Sequence, residues 1–445
     1  MKKLNILLLI VMISALLAAA CLTASADSEE QAYPITGSCR LRGKEYSVSD
    51  SGDRGTAVVS ARGAGVRITD EWKSTLIAEN TGGGTAVAAE ASDGAFVSVG
   101  GDAEARSRTY ASAVRAGSEG YVGIAGSISA EATGSGALGT DCGAVAADVS
   151  GRSLVIAGDF ETHSSVVSAV SEGGTAVAAR VRGRSNFSAD GVLSASGASA
   201  SGILLGEGGD DGPSGAFARS LDISASGSAA GAAVHGNESR LFIEENVDVS
   251  GAAAAGIEIC GPGAGYASVK GSVTVIGTGS SDDSSVTGIR ISGGADSSAL
   301  IGGDLTAIGN DAVAVDIISG TAIVEGRITG IVKNGGKLYA GEIDSAYADS
   351  AAVNGYLIGL DSGDITECCT ATDASGRSLA RITADRTASG KTYFIAPYGG
   401  GSITLTIVRN MGVRYLAGFE NMTDNGDGSY TFFYTTGGMN RIEAH

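Results

Sequence analysis

The residues that could do chemistry in this chain are a few aspartates, three histidines and five cysteines that follow the N-terminal apolar segment. Asp282 and Asp283 are adjacent, whereas Asp222 and Asp248 lie apart in the chain. Carboxylate oxygens are the ligands that Ca²⁺ prefers. These four aspartates are therefore the candidate metal ligands, and whether they meet depends on the elements that carry them.

The histidines and cysteines form no pattern that is typical of catalysis. His163, His235 and His445 are scattered, and we interpret each as a surface residue rather than as a general base. The five cysteines are an odd number for a disulfide framework, and their spacing does not match a zinc site. We therefore predict no catalytic residue, and no cofactor unless the aspartates bind calcium.

The N-terminus has the pattern of an export signal. Lys2 and Lys3 precede an apolar run, and Ala24-Ser25-Ala26 is typical of a cleavage site, so residues 1–26 are predicted to be a signal peptide. The alternative is a lipoprotein signal, in which Cys21 becomes lipidated and anchors the protein. No later apolar run is long enough to span a bilayer, so we expect a secreted or cell-surface protein.

The charge and composition restrict the partners. The formal net charge is -19, and removal of Lys2 and Lys3 with the signal would change it to -21. Such a chain repels nucleic acid and anionic membranes, so no nucleic-acid partner is expected. The chain contains 70 glycines and only 4 prolines, which is unlike collagen and most disordered linkers.

One sequence motif, SSALIGGDLTAIGN (297–310), recurs along the chain with other residues in the same pattern, as in GAFVSVGGDAEARS and GYASVKGSVTVIGT. Its middle position recurs about every 28 residues, within the range that is typical of solenoid repeats. The nine anchors are Gly101, Gly126, Gly158, Gly191, Arg219, Glu245, Gly271, Gly303 and Gly326.

Every anchor has an apolar residue two places before it and two places after it. Alternation with period two predicts short strands with one buried face, and the anchor glycine suits a sharp bend between them. The residues before the anchors are Val99, Ile124, Ile156, Ala189, Phe217, Ile243, Val269, Ile301 and Val324. Those after them are Ala103, Ile128, Phe160, Leu193, Leu221, Val247, Val273, Leu305 and Ile328.

A third apolar stretch lies upstream in each repeat, as in GTAVAAE (84–90) and TGIRIS (287–292). Three short strands per repeat cannot bury their inner face alone, but stacked repeats can. The sequence therefore predicts an all-β protein: a parallel, right-handed β-helix (β-solenoid) of about 10–12 coils. The predicted divisions are an N-terminal polar cap (27–54), the β-helix (55–365) and a C-terminal β-rich module (366–445).

The motif, together with recurring GTAV, resembles the β-strand repeats of secreted bacterial surface proteins, both adhesin-like β-helices and calcium-dependent carbohydrate-binding β-helix modules. The resemblance covers roughly residues 55–365. It implies an extracellular or cell-surface setting and supplies no functional residue for this chain.

Parallel β-helices also include pectin-cleaving enzymes. Polygalacturonase-like hydrolases share N-T-D, D-D, G-H-G and R-x-K motifs in that order; here His235-Gly236 precedes Asp282-Asp283, no N-T-D occurs, and no R-x-K follows the acid pair. Pectate-lyase-like sites use clustered acids that hold calcium. On adjacent coils Asp222 and Asp248 would lie about 5 Å apart, either as a calcium site or as part of a solvated acidic face.

The C-terminal module is richer in aromatic residues than the repeats. TDNGDGSYTFFY predicts a hairpin, because turn residues separate strand-forming runs. Candidate ligand contacts there are Tyr393, Tyr398, Tyr430 and Tyr434, and the alternative is that they form a small β core.

We therefore expect a non-enzymatic, adhesin-like or structural binding surface whose partner is a polysaccharide or a cell-surface ligand. The first alternative is a calcium-assisted carbohydrate-binding module. The second is a pectin-lyase-like enzyme that degrades polysaccharides.

Overall fold

The computed structural model describes residues 33–70, 72–134, 143–158, 165–207, 212–235, 238–279, 285–347, 353–360, 369–382, 386–396, 401–407, 422–434 and 441–442. All regular elements in these ranges are strands. They are β1 Cys39–Leu41, β2 Glu45–Asp50, β3 Thr56–Arg62, β4 Arg67–Asp70, β5 Thr75–Asn80, β6 Thr85–Ser92, β7 Phe96–Val99, β8 Ala103–Ser107, β9 Tyr110–Gly117, β10 Tyr121–Ile124, β11 Ile128–Ala132, β12 Ala144–Val149, β13 Leu154–Ala157, β14 Val166–Val181, β15 Asn186–Ala189, β16 Val192–Leu205, β17 Gly215–Ala218, β18 Ser220–His235, β19 Arg240–Ile243, β20 Val247–Gly251, β21 Ala253–Cys260, β22 Tyr266–Val269, β23 Val273–Gly277, β24 Val286–Ile291, β25 Ser298–Ile301, β26 Leu305–Ile308, β27 Val313–Ile317, β28 Thr321–Thr329, β29 Ile331–Asn334, β30 Lys337–Ile343, β31 Gly355–Leu360, β32 Cys369–Asp373, β33 Ala380–Ile382, β34 Tyr393–Ala396, β35 Gly401–Ile407, β36 Met422–Asp424, β37 Ser429–Tyr434 and β38 Arg441–Ile442.

The strands wind into a parallel β-solenoid, which confirms the predicted fold class. Each coil contributes to three parallel sheets, and each strand pairs with its equivalents in the coils before and after it. Sheet 1 counts twelve coils, within the predicted range, through β1, β4, β7, β10, β13, β15, β17, β19, β22, β25, β28 and β30.

Sheets 2 and 3 complete each coil. Sheet 2 runs through β2, β5, β8, β11, β14, β16, β18, β20, β23 and β26, and it continues through the last residues of β28 and β30. Sheet 3 runs through β3, β6, β9, β12, β14, β16, β18, β21, β24, β27 and β29. The long strands β14, β16 and β18 bend around the corner and serve both sheets. The right-handed sense of the coil stays a prediction.

The core is a set of columns of aliphatic residues stacked along the axis. In the first inward column of sheet 2, every side chain is at most 1 % exposed. Full burial of a Val, Leu or Ile side chain stabilises the fold by about 1.5–3 kcal/mol, so the repetition itself supplies the stability. The column is Leu76, Ala103, Ile128, Val167, Leu193, Leu221, Val247, Val273, Leu305 and Ile328.

The repeated motif is explained by the corner between sheets 1 and 2. A Cβ on Gly126 would lie 2.7 Å from the carbonyl carbon of Gly101, and one on Gly303 would lie 2.8 Å from that of Gly271. Neither Gly126 nor Gly303 has a positive φ. At these anchors glycine is therefore needed because corner backbones of successive coils stack closely, not because the bend requires a left-handed conformation.

The polar residue after the anchor ties each corner to the next coil. The Asp102 carboxylate accepts a hydrogen bond of 2.7 Å from Ser127 N, and the Asp304 carboxylate accepts one of 2.8 Å from Arg327 N. Both backbone donors lie one coil further along. In SSALIGGDLTAIGN the glycine and the aspartate thus serve stacking, while Ile301 and Leu305 are fully buried as predicted.

Two of the nine anchors are one residue out of register. Ile124 pairs with Ala157, whereas the repeat predicted Ile156 at that position. Ser188 pairs with Phe217, so Ala189 lies level with Ala218 and not with Phe217 as the repeat predicted. Ile156 and Phe217 therefore point outward, contrary to the prediction. In the first of these coils Val167, not Phe160, pairs with Ile128; Phe160 lies outside the described residues.

The first coil lies within the expected polar cap, and strands of the expected C-terminal module join sheet 1. Within the expected polar cap, β1 and β2 already pair with β4 and β5, so the first coil begins at Cys39. At the other end, β31 pairs in parallel with β30 beyond the twelfth coil, and β34 pairs antiparallel with β31. A separate antiparallel sheet contains β32, β35, β37 and β36, and its last two strands form the predicted hairpin.

The outer face of sheet 3 has a column of alternating charge. Opposite charges directly across neighbouring strands stabilise a sheet, and a slipped register would bring like charges together. Arg290 lies 3.4 Å from the carboxylate of Asp316. The charged members are Glu90, Arg115, Asp148 and Arg180, and further along Glu258, Arg290, Asp316 and Lys333.

Candidate binding surface

The outer face of sheet 1, here called the sheet 1 face, differs from the rest of the surface. Two outward columns run along it, and no position in either column carries a carboxylate. The first contains Arg67, Phe96, Tyr121, Leu154, Asn186, Gly215, Arg240, Tyr266, Ser298, Thr321 and Lys337. The second contains Arg40, Thr69, Ser98, Gly123, Ile156, Ser188, Phe217, Phe242, Ser268, Leu300, Ile323 and Tyr339.

The contrast with overall charge is large. The chain carries 49 Asp and Glu residues against 30 Lys and Arg residues. Carboxylates occupy outward positions on sheet 2 instead, including Glu104, Glu131, Asp222 and Asp248. The sheet 1 face is therefore the flat outer face that offers apolar and aromatic groups without acidic neighbours in its columns, which is typical of a contact surface.

The aromatic rings at one end of this face stack on each other. The ring centroids of Phe96 and Tyr121 are 4.5 Å apart with planes 2° from parallel, and the Arg67 guanidinium lies 5.7 Å from the Phe96 ring. The ring faces are thus turned toward neighbours along the axis. Partial burial raises the pKa of Tyr121, so its hydroxyl stays protonated at neutral pH.

A second aromatic group lies further along the same face. Phe242 is 41 % exposed, and its ring centroid lies 5.5 Å from that of Tyr266 at a tilt of 53°. Phe217 is the neighbour of Phe242 in the adjacent strand β17. Phe242 is thus more exposed than Phe96 or Tyr121, both of which are half-buried.

The far end of the sheet 1 face is covered by the chain itself. Leu300 and Ile323 are 3 % and 5 % exposed because they pack in a cluster with Ile382, Ala388 and Tyr393. The C-terminal segment, here called the C-terminal cover (residues 380–382 and 386–396), therefore shows that this face accepts apolar polypeptide.

A buried carboxylate holds the C-terminal cover in place. Glu325 is 3 % exposed. It accepts hydrogen bonds from Ala388 N at 2.6 Å, from Ser389 N at 3.2 Å, from the Tyr393 hydroxyl at 2.7 Å and from the Ser389 hydroxyl. Burial of a charged group costs free energy unless such donors satisfy it, so this contact fixes one position for the cover.

The predicted ligand tyrosines that the structure describes lie in different surroundings. Tyr393 is 3 % exposed, and its hydroxyl donates to Glu325, so it offers no ring face to a ligand and is a packing residue here. Tyr430 is half-buried in β37 opposite Leu405. The backbone of Tyr434 pairs with Gly401, and Tyr398 lies outside the described residues.

Two of the candidate metal ligands do meet. Asp222 and Asp248 are directly paired across β18 and β20, and both are exposed. Their neighbours in the same column, Ser194 and Thr274, bring no further carboxylate. Asp282 and Asp283 lie outside the described residues. Among the residues that the structure describes, no group of three or more His, Cys, Asp or Glu side chains could hold a metal ion.

A pairing that the sequence analysis missed joins His235 to Cys260. The Cys260 sulfur lies 2.9 Å from His235 Nδ1, on neighbouring strands of sheet 3. Partial burial and the nearby Glu258 carboxylate raise the pKa of the Cys260 thiol to about 11, so at neutral pH it is a protonated, weak nucleophile. His163 and His445 lie outside the described residues.

The corner between sheets 3 and 1 forms a shallow cleft of about 670 Å³. Its walls are turns with left-handed residue pairs, such as Ser118 with Glu119 and Gly151 with Arg152. Arg152 lies 3.7 Å from the Glu119 carboxylate, and both side chains are mostly exposed. Exposed ion pairs of this kind contribute little to stability or to binding.

The chain matches no protein-family model, no curated protein and no solved structure. Within the described ranges, no helix is long and apolar enough to cross a membrane. The surface itself is therefore the basis for a functional proposal.

Proposed function

We propose that this protein is a non-enzymatic, adhesin-like binding protein of the extracellular space or the cell surface, and that the sheet 1 face is its binding surface. The observation that carries the proposal is the apolar and aromatic character of a face whose two outward columns contain no carboxylate, in a strongly acidic chain. The predicted signal peptide supports the location, either with cleavage after Ala26 or with a lipid anchor at Cys21.

The geometry of the rings favours a polypeptide ligand on the target cell over a polysaccharide. Sugars stack on ring faces, but the faces of Phe96 and Tyr121 are turned toward each other and toward Arg67. Aromatic edges and aliphatic side chains instead suit interdigitation with apolar side chains. The C-terminal cover already makes such contacts through Ile382 and Ala388.

A calcium-assisted carbohydrate-binding module is the second candidate, and the direct pairing of Asp222 with Asp248 supports it. Two exposed carboxylates supply part of the six to eight oxygen ligands that Ca²⁺ takes. In this alternative a glycan would complete the coordination on sheet 2. Binding would then require calcium and would not require the sheet 1 face.

The test compares Phe242→Ser with Ile308→Ser. Phe242 is 41 % exposed on the sheet 1 face, and Ile308 is 51 % exposed on sheet 2, so both changes remove exposed apolar surface. Labelled proteins are applied to arrays of glycans and of extracellular proteins, with calcium and with chelator. We expect Phe242→Ser to lose binding and Ile308→Ser to keep it. Equal binding by both variants, or release of sugar products from pectin, would contradict the proposal.

A further inference from the structure

We infer that the sheet 1 face also binds a second copy of this chain, packed face to face about a two-fold axis, so that self-association and target binding compete for the same surface. The inference rests on the proposed function, because it names an occupant for the same surface. Its starting point is that the far end of this face is already covered by this chain's own C-terminal segment, which buries Leu300 and Ile323. The remainder of the face continues directly from that interface.

The uncovered part of the face contains apolar groups in the same columns. Leu154, Ile156 and Phe217 are half-exposed, and Phe242 is exposed. Tyr266 at the border is half-exposed as well, but it packs against the cluster that the C-terminal cover completes. In a two-fold arrangement each copy presents the same patch. Each copy would therefore cover apolar groups of the other, as the C-terminal cover does for Leu300 and Ile323.

Charge makes this face the suitable one for self-association. Two copies that each carry a formal charge of -19 repel each other. On sheet 2 the outward Glu104, Glu131, Asp222 and Asp248 would add local repulsion. In the two columns of the sheet 1 face, Arg40, Arg67 and Arg240 are the charged groups of the uncovered part, and they lie at different heights along the axis.

The size of the patch sets the strength of the interaction. The uncovered apolar strands are β7, β10, β13, β15, β17, β19 and β22. With strands about 4.8 Å apart and about 3.3 Å per residue, they span about 34 Å by 13 Å. Two copies would bury about 900 Å² in total, which is the size of a weak, reversible interface. We therefore expect a concentration-dependent dimer.

Sedimentation velocity of the purified protein over a wide range of concentration tests the inference. We expect a shift from monomer to dimer as concentration rises. Added salt should strengthen the dimer, because it screens the overall repulsion while the interface is apolar. A wild-type protein that stays monomeric at every concentration, or a dimer that salt dissociates, would overturn the inference.

Three variants locate the interface. Phe242→Asp and Ser188→Asp each place a carboxylate on the sheet 1 face, and Ile308→Asp places one on sheet 2. Ser188→Asp removes no apolar group, so its effect cannot come from lost packing. We expect the first two variants to be monomers and Ile308→Asp to dimerise like the wild type, with unchanged β-sheet circular dichroism. Loss of the dimer in Ile308→Asp alone would contradict the inference.

The two proposals can fail separately. If the wild type stays monomeric and Phe242→Ser still loses binding to its target on the arrays, the inference is wrong and the proposed function stands. If the dimer forms through the sheet 1 face and array binding survives in Phe242→Ser, the inference stands and the proposed function is wrong.

Discussion

Tyr393→Phe should loosen the C-terminal cover without unfolding the solenoid. The Tyr393 hydroxyl donates a 2.7 Å hydrogen bond to the buried Glu325 carboxylate. The ring of phenylalanine can keep the contacts with Leu300 and Ile323 in the same cluster. The substitution therefore removes one donor to a buried charge and little apolar contact.

The magnitude follows from that single bond. A hydrogen bond to a charged group contributes about 1.5–3 kcal/mol. Three donors to Glu325 remain, which are Ala388 N, Ser389 N and the Ser389 hydroxyl. Because the buried carboxylate keeps these hydrogen bonds, the lower half of that range applies. A loss of about 2 kcal/mol in the free energy of local opening corresponds to a roughly 30-fold rise in opening.

Hydrogen exchange followed by mass spectrometry is the assay. Peptides from residues 386–396 should exchange about 30-fold faster in Tyr393→Phe, while peptides from the core strands β25 and β26 should not change. Tyr430→Phe, in the separate antiparallel sheet, is the control and should leave residues 386–396 unaffected. Unchanged exchange at 386–396, or a uniform increase along the whole chain, would refute the account of this contact.

Three further predictions concern the corner, the thiol and the paired aspartates. Gly303→Ala should lower the free energy of unfolding by about 1–3 kcal/mol, because the new Cβ would press on the Gly271 backbone. Gly37→Ala is the control, since nothing lies within 4 Å of the added Cβ there. Equal melting temperatures of the two variants would contradict the stacking explanation. Alkylation of Cys260 should follow an apparent pKa of about 11, and Glu258→Gln should lower that pKa because it removes a negative charge that disfavours the thiolate; a thiol that reacts fully at neutral pH would show the description to be wrong. Asp222→Asn should raise stability by about 0.2–1 kcal/mol at low salt, since it relieves repulsion from Asp248, and the gain should fade as salt rises; a loss of calcium-dependent stability would instead support the calcium site.

The solenoid could be predicted from the sequence because its signal is repeated. Period-two alternation around the anchors placed Ile301 and Leu305 in the core, and the structure confirms both. The steric reason for the anchor glycine could not be predicted from the alternation. It depends on the close approach of Gly303 to Gly271, which belong to two different coils.

The candidate surface was missed for a related physical reason. Ile156 and Phe217 are apolar, so a one-residue slip leaves the pattern intact while it moves each side chain to the opposite face of the sheet. Because the repeat pattern predicted both side chains to lie in the core, it did not indicate that the outer face of sheet 1 is apolar. The pairing of His235 with Cys260 follows from coil length and could have been found by comparing positions one coil apart.

The contact between Glu325 and the C-terminal cover had no sequence signal. Glu325 lies in an alternating strand where an acid predicts a solvated position, and Tyr393 lies in a segment where the repeat has ended. Long-range packing of a non-repeated segment cannot be derived from the period of the repeat.

The proposed function requires that ligand binding depends on the sheet 1 face. The most direct test is the dissociation constant for the target found on the arrays, measured for single serine substitutions of Phe217, Phe242 and Tyr266 and for the sheet 2 controls Ile276→Ser and Ile308→Ser. We expect about tenfold or greater weakening at the three aromatic positions, as for residues that dominate an interface, and no change in the controls. Equal effects on both sheets would contradict the claim.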